Sequence, residues 1–325
     1  MIVFRDPAEV PRGFGPSVVV IGKFDGVHSG HRAVIDRARV KAVSLGATVV
    51  AVTFDRNPLA LLAPDKCPEN LIGVNQKVRL LADTGVDAVL VLRFDEDLAS
   101  LAADEFASLV LVDALAAEAV LVGADFRFGR GGVGTAQTLT AFGLSHGFEV
   151  DVVHDVRAAD RGRRVSSTWI RELLSSGDVV GARKLLGRDH SVVGEVVHGL
   201  KRGREIGYPT ANLSDDLEGF VPADGVYAGW LIDQADASGL RPGIRYPAAI
   251  SIGTNPTFDD VASRQVEAYV LDETDLDLYG RQIELRFVER IRGMGAFEGI
   301  EALVAQIAND VERTREILAR DQSTD

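Results

Sequence analysis

Short apolar runs alternate with helical patterns through the first half of the chain. Five runs rich in valine and other apolar residues are predicted strands: 18–21, 48–54, 88–94, 119–123 and 149–154. Four segments between them have the length and apolar spacing of helices: 33–45, 76–84, 102–115 and 135–146. Strands that alternate with helices in this way predict an α/β fold with a doubly wound parallel sheet.

The second half has a different pattern. A helical segment at 173–186 leads to five β-like runs separated by turns rich in Gly, Pro and Asp: 192–198, 225–232, 246–252, 265–271 and 282–291. Short strands with such turns predict a small antiparallel β-barrel. A closing helix at 299–319 carries one apolar stripe, which we interpret as a core face: Ile300, Leu303, Ile307, Val311 and Leu318. We therefore predict two domains, 1–188 and 189–325.

Charge and cysteine content narrow the class of protein. The 325-residue chain has a formal net charge of −13 and one cysteine, Cys67. Nucleic acids and anionic membranes prefer a basic surface, so neither is an expected partner. The N-terminal residues contain no apolar core of a signal peptide, and the apolar window 106–124 is broken by Asp113 and Glu118. We predict a cytoplasmic protein, and the sequence is compatible with a homo-oligomer.

The loop after the first predicted strand carries the first candidate site. Glycines allow close backbone approach to a ligand, and a helix N-terminus attracts anions. His28 and His31 lie three residues apart and share nearly one face of the first helical turn. A metal site is the alternative, but zinc would require further Cys or His ligands near them. The pattern favours a nucleotide phosphate, and the candidate residues of the loop are Gly22, Phe24, Asp25, Gly26, His28 and His31.

These residues also carry a family resemblance. The string HSGH at 28–31 resembles the HxGH signature of the nucleotidylyltransferase superfamily. The longer string GKFDGVHSGH at 22–31 resembles, more narrowly, the bacterial bifunctional riboflavin kinase/FAD synthetases. The resemblance implies a nucleotidylyltransferase-like sheet in the first domain and a riboflavin kinase barrel in the second. It implies that the two histidines act in adenylyl transfer.

A glycine cluster in the first domain has two interpretations. Gly129, Gly131 and Gly134 satisfy GxGxxG and precede a predicted helix, which taken alone would suggest a dinucleotide-binding dehydrogenase. However, that fingerprint normally opens the first βαβ unit, and a flexible loop explains the glycines equally well. Segment 123–129 also resembles the family's G-x-D/N-F-x-F-G segment. The resemblance implies a nucleotide contact for Asp125 and a flavin contact for Phe126.

A basic segment closes the first domain. Arg161, Arg163 and Arg164 precede Val-Ser-Ser-Thr-Trp-Ile-Arg at 165–171. Ser or Thr directly before a helix is typical of an N-cap, so the hydroxyls could serve only as caps. The segment resembles the family's (I/V)SST-x-IR motif, which binds triphosphate in this superfamily. The resemblance implies nucleotide binding by Arg164, Ser167 and Thr168, and a catalytic role for Arg171.

The barrel contains a glycine-rich segment with basic residues, at 199–212. It is not a Walker A loop, and a mobile hairpin loop is the plain alternative. Glycines and cations suit a polyphosphate, and the neutral oxygens of Thr210 and Asn212 suit Mg²⁺. The end of the segment resembles the riboflavin kinase signature G-x-P-T-A-N, and 250–258, 266–267 and 277–280 resemble the next family motifs. The candidate residues are Gly199, Lys201, Arg202, Gly203, Arg204, Gly207, Pro209, Thr210 and Asn212.

Glu267 is the candidate catalytic residue of the barrel. Strand alternation places Val266, Ala268 and Val270 on one side, and Glu267, Tyr269 and Leu271 on the other. From the residues alone, a strand glutamate is usually just solvent-exposed. The resemblance implies that Glu267 is the base that takes the proton from the ribityl hydroxyl of riboflavin.

The resemblance implies two reactions with ATP as co-substrate and Mg²⁺ as cofactor. The second domain would phosphorylate riboflavin to FMN, and the first would adenylylate FMN to FAD with release of pyrophosphate. The alternatives are an adenylyltransferase for another phosphorylated substrate with a non-catalytic barrel, and the dehydrogenase. The chain departs from the family at Arg56-Asn57-Pro58, where many relatives have a Pro-His-Pro-like turn, and at 71–77. The flavin contacts expected there are Asn57 and Pro58.

Overall fold

The computed structural model describes residues 1–153, 162–199, 203, 206–233, 243–253, 264–273 and 276–322. The chain divides by its internal contacts into two compact units, Met1–Ser167 and Thr168–Asp325. The helical segment predicted at 173–186 therefore belongs to the second unit. The domain boundary at 188 stays a prediction.

The first unit is built on a six-stranded sheet whose neighbouring strands all run parallel. The chain order is β1 (Ile2–Phe4), β2 (Ser17–Ile21), β3 (Thr48–Phe54), β4 (Ala88–Leu92), β5 (Ala117–Gly123), a small hairpin of β6 (Arg127–Phe128) and β7 (Gly134–Thr135), and β8 (Glu149–Val153). The spatial order is β1-β4-β3-β2-β5-β8. The strand order reverses between β2 and β5, and ligands of doubly wound sheets bind at such a point, beyond the carboxyl ends of the strands.

Helices connect these strands as the sequence predicts, with some differences in extent. They are α1 (Ser29–Leu45), α2 (Leu59–Leu62), α3 (Val74–Ala82), α4 (Glu96–Ser100), α5 (Ala103–Ala107) and α6 (Ala136–His146). The segment predicted as one helix at 102–115 continues beyond α5 as a π-helix, Ser108–Ala114. Helix α1 ends at Gly46, whose φ of 63° is the left-handed conformation that glycine adopts at low cost.

Packing explains the GxGxxG cluster. Its glycines lie around the β6–β7 hairpin, downstream of β5. A Cβ on Gly129 would be 2.6 Å from the Cα of Ala103, and one on Gly134 would be 2.7 Å from the ring of Phe128. The hairpin therefore requires glycine at both positions for close packing.

Two helices precede the barrel, α7 (Ser167–Ser175) and α8 (Val179–Leu186), and all of their residues except Ser167 belong to the second unit. The prediction of a single helix over 173–186 is wrong. Gly177 has a φ of 80°, and the Asp178 carboxylate accepts a hydrogen bond from the Gly181 N–H, which starts a new helix. A strong N-cap after a left-handed glycine is sufficient to separate the two helices.

A closed antiparallel barrel of six strands follows. Its strands are β9 (His190–Val197), β10 (Thr210–Leu213), β11 (Gly225–Asp233), β12 (Ile244–Gly253), β13 (Gln265–Val270) and β14 (Gln282–Arg292), in the spatial order β10-β13-β12-β11-β14-β9. This confirms the predicted fold class. The sequence analysis missed β10, whose four residues it placed in a loop.

The C-terminal helix α9 (Ile300–Gln322) packs on the barrel. Ala228 and Trp230 of β11 and Val288 of β14 form a buried cluster with Ile317 and Leu318 of the helix. The predicted stripe is buried at Val311 and Leu318 but wrong at Ile300, whose exposed fraction is 59% because it lies in the first turn. Of the helices that the structure describes, none has the length and apolar character needed to cross a membrane.

His190 is a buried titratable group at the start of β9. Its side chain is 1% exposed, and its Nε2 lies 2.6 Å from the carbonyl oxygen of Phe220. Burial lowers the pKa of the imidazole from 6.5 to about 4. The folded state therefore holds a neutral histidine where the unfolded chain binds a proton more readily.

We expect His190 to make the second unit less stable as the pH falls. The contribution is fully present above pH 6.5 and is lost as the pH falls towards 4, by roughly 3 kcal/mol at most. The substitution His190→Gln keeps a donor near the Phe220 carbonyl but cannot titrate. Both tryptophans lie in the second unit, so their fluorescence during urea unfolding at pH 7 and pH 4.5 measures the effect. An equal loss of stability in the wild type and the variant would contradict this account.

Candidate active sites

The loop after β2 has a strained backbone. Phe24, Gly26 and Val27 have φ values of 49°, 86° and 39°. Positive φ at a bulky or β-branched residue is rare and costs about 1–3 kcal/mol, so the surroundings must hold this conformation in place. The Val27 N–H donates to the Phe24 carbonyl oxygen at 3.1 Å, which closes the turn directly before His28. Gly22 fixes the start of the loop by donating its N–H to the Val52 carbonyl oxygen at 3.1 Å.

The two histidines lie together at the N-terminus of α1. His28 is the N-cap, and its Nδ1 accepts a hydrogen bond from the His31 N–H at 3.3 Å. The two rings stack with their centroids 3.7 Å apart and an interplanar angle of 13°. The edge-on ring of Phe24 lies 5.2 Å from the His31 ring. Since Nδ1 of His28 accepts a hydrogen bond from the backbone, the imidazole proton is placed on Nε2, which is the donor nitrogen of the ring.

Gly30 is the glycine of the HSGH string, and its lack of a side chain has a steric reason. A Cβ at this position would lie 3.1 Å from Cε1 and Nδ1 of His28. That distance is tighter than ordinary contact, so a larger residue would displace the imidazole. The glycine allows the His28 ring to fold back over the helix start.

Asp25 holds the loop from within the protein. Its carboxylate is 9% exposed and accepts a hydrogen bond from the Leu71 N–H at 2.8 Å. Its backbone carbonyl accepts a hydrogen bond from the Ser167 hydroxyl, also at 2.8 Å. These bonds tie the loop to two distant segments and fix the strained turn before His28. The hydroxyl of Ser167, expected to bind nucleotide, therefore also fixes the loop.

Sequence reasoning missed Lys77, which is buried beyond the carboxyl end of β3. Its side chain is on the buried face of α3, and its Nζ donates to the Phe54 carbonyl oxygen at 2.9 Å. Burial lowers the pKa of this lysine, whereas the nearby carboxylates of Asp25 and Asp55 raise it. The available signal was its spacing: Lys77 shares the apolar face of α3 with Leu81, four residues later.

The loop after β5 brings further candidates to the same unit. Asp125 forms an ion pair with Arg164 at 3.0 Å, and both side chains are largely exposed. The ring of Phe126 stacks on Phe128 with 5.3 Å between the centroids. Elsewhere, Asn57 accepts a hydrogen bond from the Leu59 N–H at 3.1 Å, and Pro58 precedes helix α2. The carboxylate of Asp125 thus lies where it neutralises a cation expected to bind phosphate.

Two candidates of the basic segment belong to the other unit. Thr168 and Arg171 lie in α7 and are counted with the second unit. Their proposed part in the nucleotide site rests on their chain continuity with Ser167. Arg161 lies outside the described residues.

In the barrel, strand register assembles a second site around Glu267. Glu267 of β13 is paired with Asn212 of β10, and Thr210 with Tyr269. The Thr210 hydroxyl donates to Oε2 of Glu267 at 3.2 Å, and Asn212 Nδ2 donates to the Thr210 hydroxyl oxygen at 3.2 Å. Burial raises the pKa of the Glu267 carboxyl, and the hydrogen bond from Thr210 opposes this effect. The predicted strand alternation is confirmed at Val266, Ala268 and Val270, which are buried. It is wrong at Leu271, which is 2% exposed because β13 ends at Val270 and the chain turns there.

The described glycines before β10 pack closely against their neighbours. A Cβ on Gly199 would lie 2.5 Å from Cγ of Asn212, and one on Gly203 would lie 2.2 Å from the Tyr208 carbonyl oxygen. Gly207 has a φ of 86° and is followed by Tyr208 and Pro209. Lys201, Arg202 and Arg204, and residues 254–258 of the motif at 250–258, lie outside the described residues.

The donor set of the barrel site fits Mg²⁺ rather than a transition metal. The described ranges contain no group of three or more His, Cys, Asp or Glu that could hold a metal ion. The Thr210 hydroxyl oxygen lies 3.2 Å from Oε2 of Glu267, and Asn212 contacts that hydroxyl through its Nδ2. Mg²⁺ prefers a few such oxygen ligands, with substrate phosphates completing its coordination.

The two sites differ in chemistry. The first offers a helix N-terminus, an imidazole donor and the Ser167 hydroxyl, which stabilise negative charge on phosphates. The second offers a half-buried carboxylate next to a hydroxyl and an amide, which suits proton transfer from an alcohol. Both arrangements are typical of enzymes that transfer groups from nucleotides.

Comparison with known proteins gives the class and then the family. Residues 12–169 match the family model of FAD synthetase, and residues 186–318 match that of riboflavin kinase, so the chain joins two flavin-related transferase domains. It is 38% identical over 299 residues to the bifunctional riboflavin kinase/FMN adenylyltransferase of Escherichia coli (strain K12), covering 92% of each chain. It is 34% identical over 296 residues to that of Bacillus subtilis (strain 168), covering 90% of each. The chain belongs to the bifunctional riboflavin kinase/FMN adenylyltransferase family.

A solved structure shares the architecture over the full length. It is described as a macrolide-efflux protein from Streptococcus pneumoniae and has a TM-score of 0.80 at 33% identity, covering 97% of this chain and 98% of that one. Efflux is part of the description of that protein and is not assigned to this chain. Family membership, with the packing role of the glycines at 129–134, removes the dehydrogenase alternative.

We expect the Asp25 carboxylate to protect the backbone of Leu71. In Asp25→Ala the buried Leu71 N–H loses its acceptor, at a local cost of about 1–3 kcal/mol. Its amide should then exchange about ten- to a hundredfold faster, whereas Asp25→Asn keeps an acceptor oxygen and should stay close to wild type. Hydrogen exchange followed by NMR measures this. Unchanged exchange at Leu71 in Asp25→Ala would show that the carboxylate does not hold this segment.

Proposed function

We propose that this chain converts riboflavin to FMN in its barrel and FMN to FAD in its α/β domain, using one MgATP in each reaction. The observation that supports this best is that each unit contains its own site with the chemistry its reaction requires. The first unit places stacked imidazoles at a helix N-terminus. The second unit places a carboxylate of raised pKa beside Thr210 and Asn212.

In the kinase reaction, the 5′-hydroxyl of riboflavin attacks the γ-phosphorus of ATP. Oxygen–phosphorus bond formation accompanies cleavage of the bond to the β-phosphate, and ADP leaves. Glu267 accepts the hydroxyl proton, because an alcohol is a poor nucleophile at neutral pH. The raised pKa of this carboxyl brings its proton affinity closer to the working pH, and the Thr210 hydrogen bond orients one carboxylate oxygen.

The remaining catalytic effect in the kinase reaction comes from positioning the ATP phosphates. Thr210 and Asn212 would hold Mg²⁺, which neutralises charge on the phosphates when bound. Gly199, Gly203, Gly207 and Pro209 shape the segment that would follow the phosphate chain. Lys201, Arg202 and Arg204 are proposed to supply its positive charge.

In the adenylylation reaction, an FMN phosphate oxygen attacks the α-phosphorus of ATP and pyrophosphate leaves. This nucleophile is already ionised, so no general base is required. Nε2–H of His28 and the N-terminus of α1 stabilise negative charge on the transferred phosphate. We assign supporting contacts to the glycines and Phe24 of the first loop, and to His31, Asp125, Arg164, Ser167, Thr168 and Arg171. Asn57, Pro58 and Phe126 stay predicted flavin contacts.

The other parts of the assignment rest on sequence alone. The cytoplasmic location, the lack of nucleic-acid and membrane partners, and the compatibility with a homo-oligomer remain predictions. The alternative with a non-catalytic barrel gives no role to the bonded set of Glu267, Thr210 and Asn212.

We expect Glu267→Gln to stop the pathway at its first reaction. Loss of the base should lower kcat for FMN formation by about 10²–10⁴-fold, because general-base catalysis contributes that much. FAD formation from supplied FMN should be unchanged. Chromatography of riboflavin and MgATP incubations over time measures both products, with Glu195→Gln, at the exposed position of β9, as the matched control. If Glu267→Gln makes FMN at the wild-type rate, the barrel is not catalytic in the manner proposed.

We expect His28→Asn to stop the pathway at FMN. Asparagine is a good N-cap, so helix α1 should remain intact while the imidazole donor is lost. FAD formation should fall about a hundredfold or more, since loss of one charge-stabilising donor costs about 10²–10³ in kcat. The same chromatography follows the accumulation of FMN, and His146→Asn on helix α6 is the control. Full FAD formation by His28→Asn would remove this histidine from the mechanism.

A further inference from the structure

Ser251 occupies a position beside Glu267 that no motif assigns. In the barrel ladder, Ser251 of β12 is paired with Glu267, as Asn212 of β10 is on the other side. Directly paired residues of antiparallel strands project to the same face, with Cβ atoms about 4.5–5.5 Å apart. Glu267 therefore lies between an amide on one side and a hydroxyl on the other.

The two flanks of Glu267 differ in their hydrogen bonding. On the β10 flank, Thr210 and Asn212 are bonded to each other and Thr210 is bonded to Glu267. On the β12 flank, the partner of the half-buried Ser251 hydroxyl within the described ranges is the Met294 sulfur, at 4.0 Å. A thioether is a weak acceptor, so the hydroxyl retains capacity for a ligand.

The β12 flank also has an apolar component. A Cβ on Gly253 would lie 3.0 Å from Cγ of Met294, so the methionine side chain covers the end of β12. Ile250 and Ile252 are fully buried and point away from this face. A hydroxyl covered by a thioether suits a molecule that joins a polyol chain to an apolar ring system.

We propose that Ser251 binds the polyol chain of the acceptor substrate, at the hydroxyl next to the one that is phosphorylated. This inference rests on the proposed kinase function. Two hydroxyls on adjacent carbons reach Ser251 and Glu267 together, which directs the terminal hydroxyl at the base. The phosphate donor then occupies the opposite flank, with Thr210 and Asn212. Ser251 thus determines which face of Glu267 receives the alcohol.

The test is the rate of FMN formation with two substrates, riboflavin and its 4′-deoxy analogue. A neutral hydrogen bond accounts for about a three- to tenfold effect. Ser251→Ala should lower kcat/KM for riboflavin by this factor, with KM for ATP unchanged and wild-type activity largely restored in Ser251→Thr. With the deoxy analogue, wild type and Ser251→Ala should react at equal rates. Ser191→Ala on β9 is the matched control, and tryptophan fluorescence melting checks folding.

Two results would overturn the inference. In one, Ser251→Ala reacts with riboflavin as the wild type does. In the other, it loses the same factor with both substrates, which indicates a structural role. The proposed function fails separately: in that case the wild type forms no FMN, or Glu267→Gln forms it normally. A failure of the Ser251 assignment alone leaves FMN formation by the wild type and its loss in Glu267→Gln intact.

Discussion

Strand register is the constraint on which both sites depend. In the first unit, parallel pairing of β2 with β3 and β5 sets the loops after β2 and β5 at the point where the strand order reverses. In the second, antiparallel pairing of β13 with β10 and β12 sets Glu267 between two polar neighbours. A slip of one residue would turn every side chain of a strand to the opposite face. Buried alternate positions such as Val266 and Ala268 prevent that slip, so hydrophobic burial holds the polar chemistry in place.

The pattern of apolar and polar residues along the chain was sufficient to predict most of the helices and strands. Strand β3 agrees in both bounds with its predicted range, because a β-branched run between polar turns has one plausible conformation. Helical periodicity failed at Gly177, since the apolar spacing continues across the break. The left-handed Gly177 ends one helix, and the N-cap hydrogen bond of Asp178 begins the next. Strand β10 has no apolar alternation of its own and is defined by its partners, β9 and β13. Its pairing depends on residues far away in the chain.

The candidate sites also depend partly on short sequence motifs and partly on contacts between residues far apart in the chain. The histidines, Thr210 and Glu267 were found because short motifs carry them. The contact between Asp25 and Leu71 joins residues 46 positions apart, and the Ser251–Glu267 pair depends on how β12 and β13 align. Lys77 was missed because a lysine usually indicates a solvent-facing position. Here its ammonium is satisfied by a carbonyl at a strand end.

Closure of the barrel has a consequence for self-association. A closed sheet has no free edge, so the described barrel strands offer no starting point for backbone pairing with another chain. The sheet of the first unit keeps two edges, β1 and β8. Strand β1 is three residues long and exposes Ile2 and Val3, and its shortness limits the template it offers. Strand β8 is longer, with five residues, so strand addition in the first unit would favour the β8 edge.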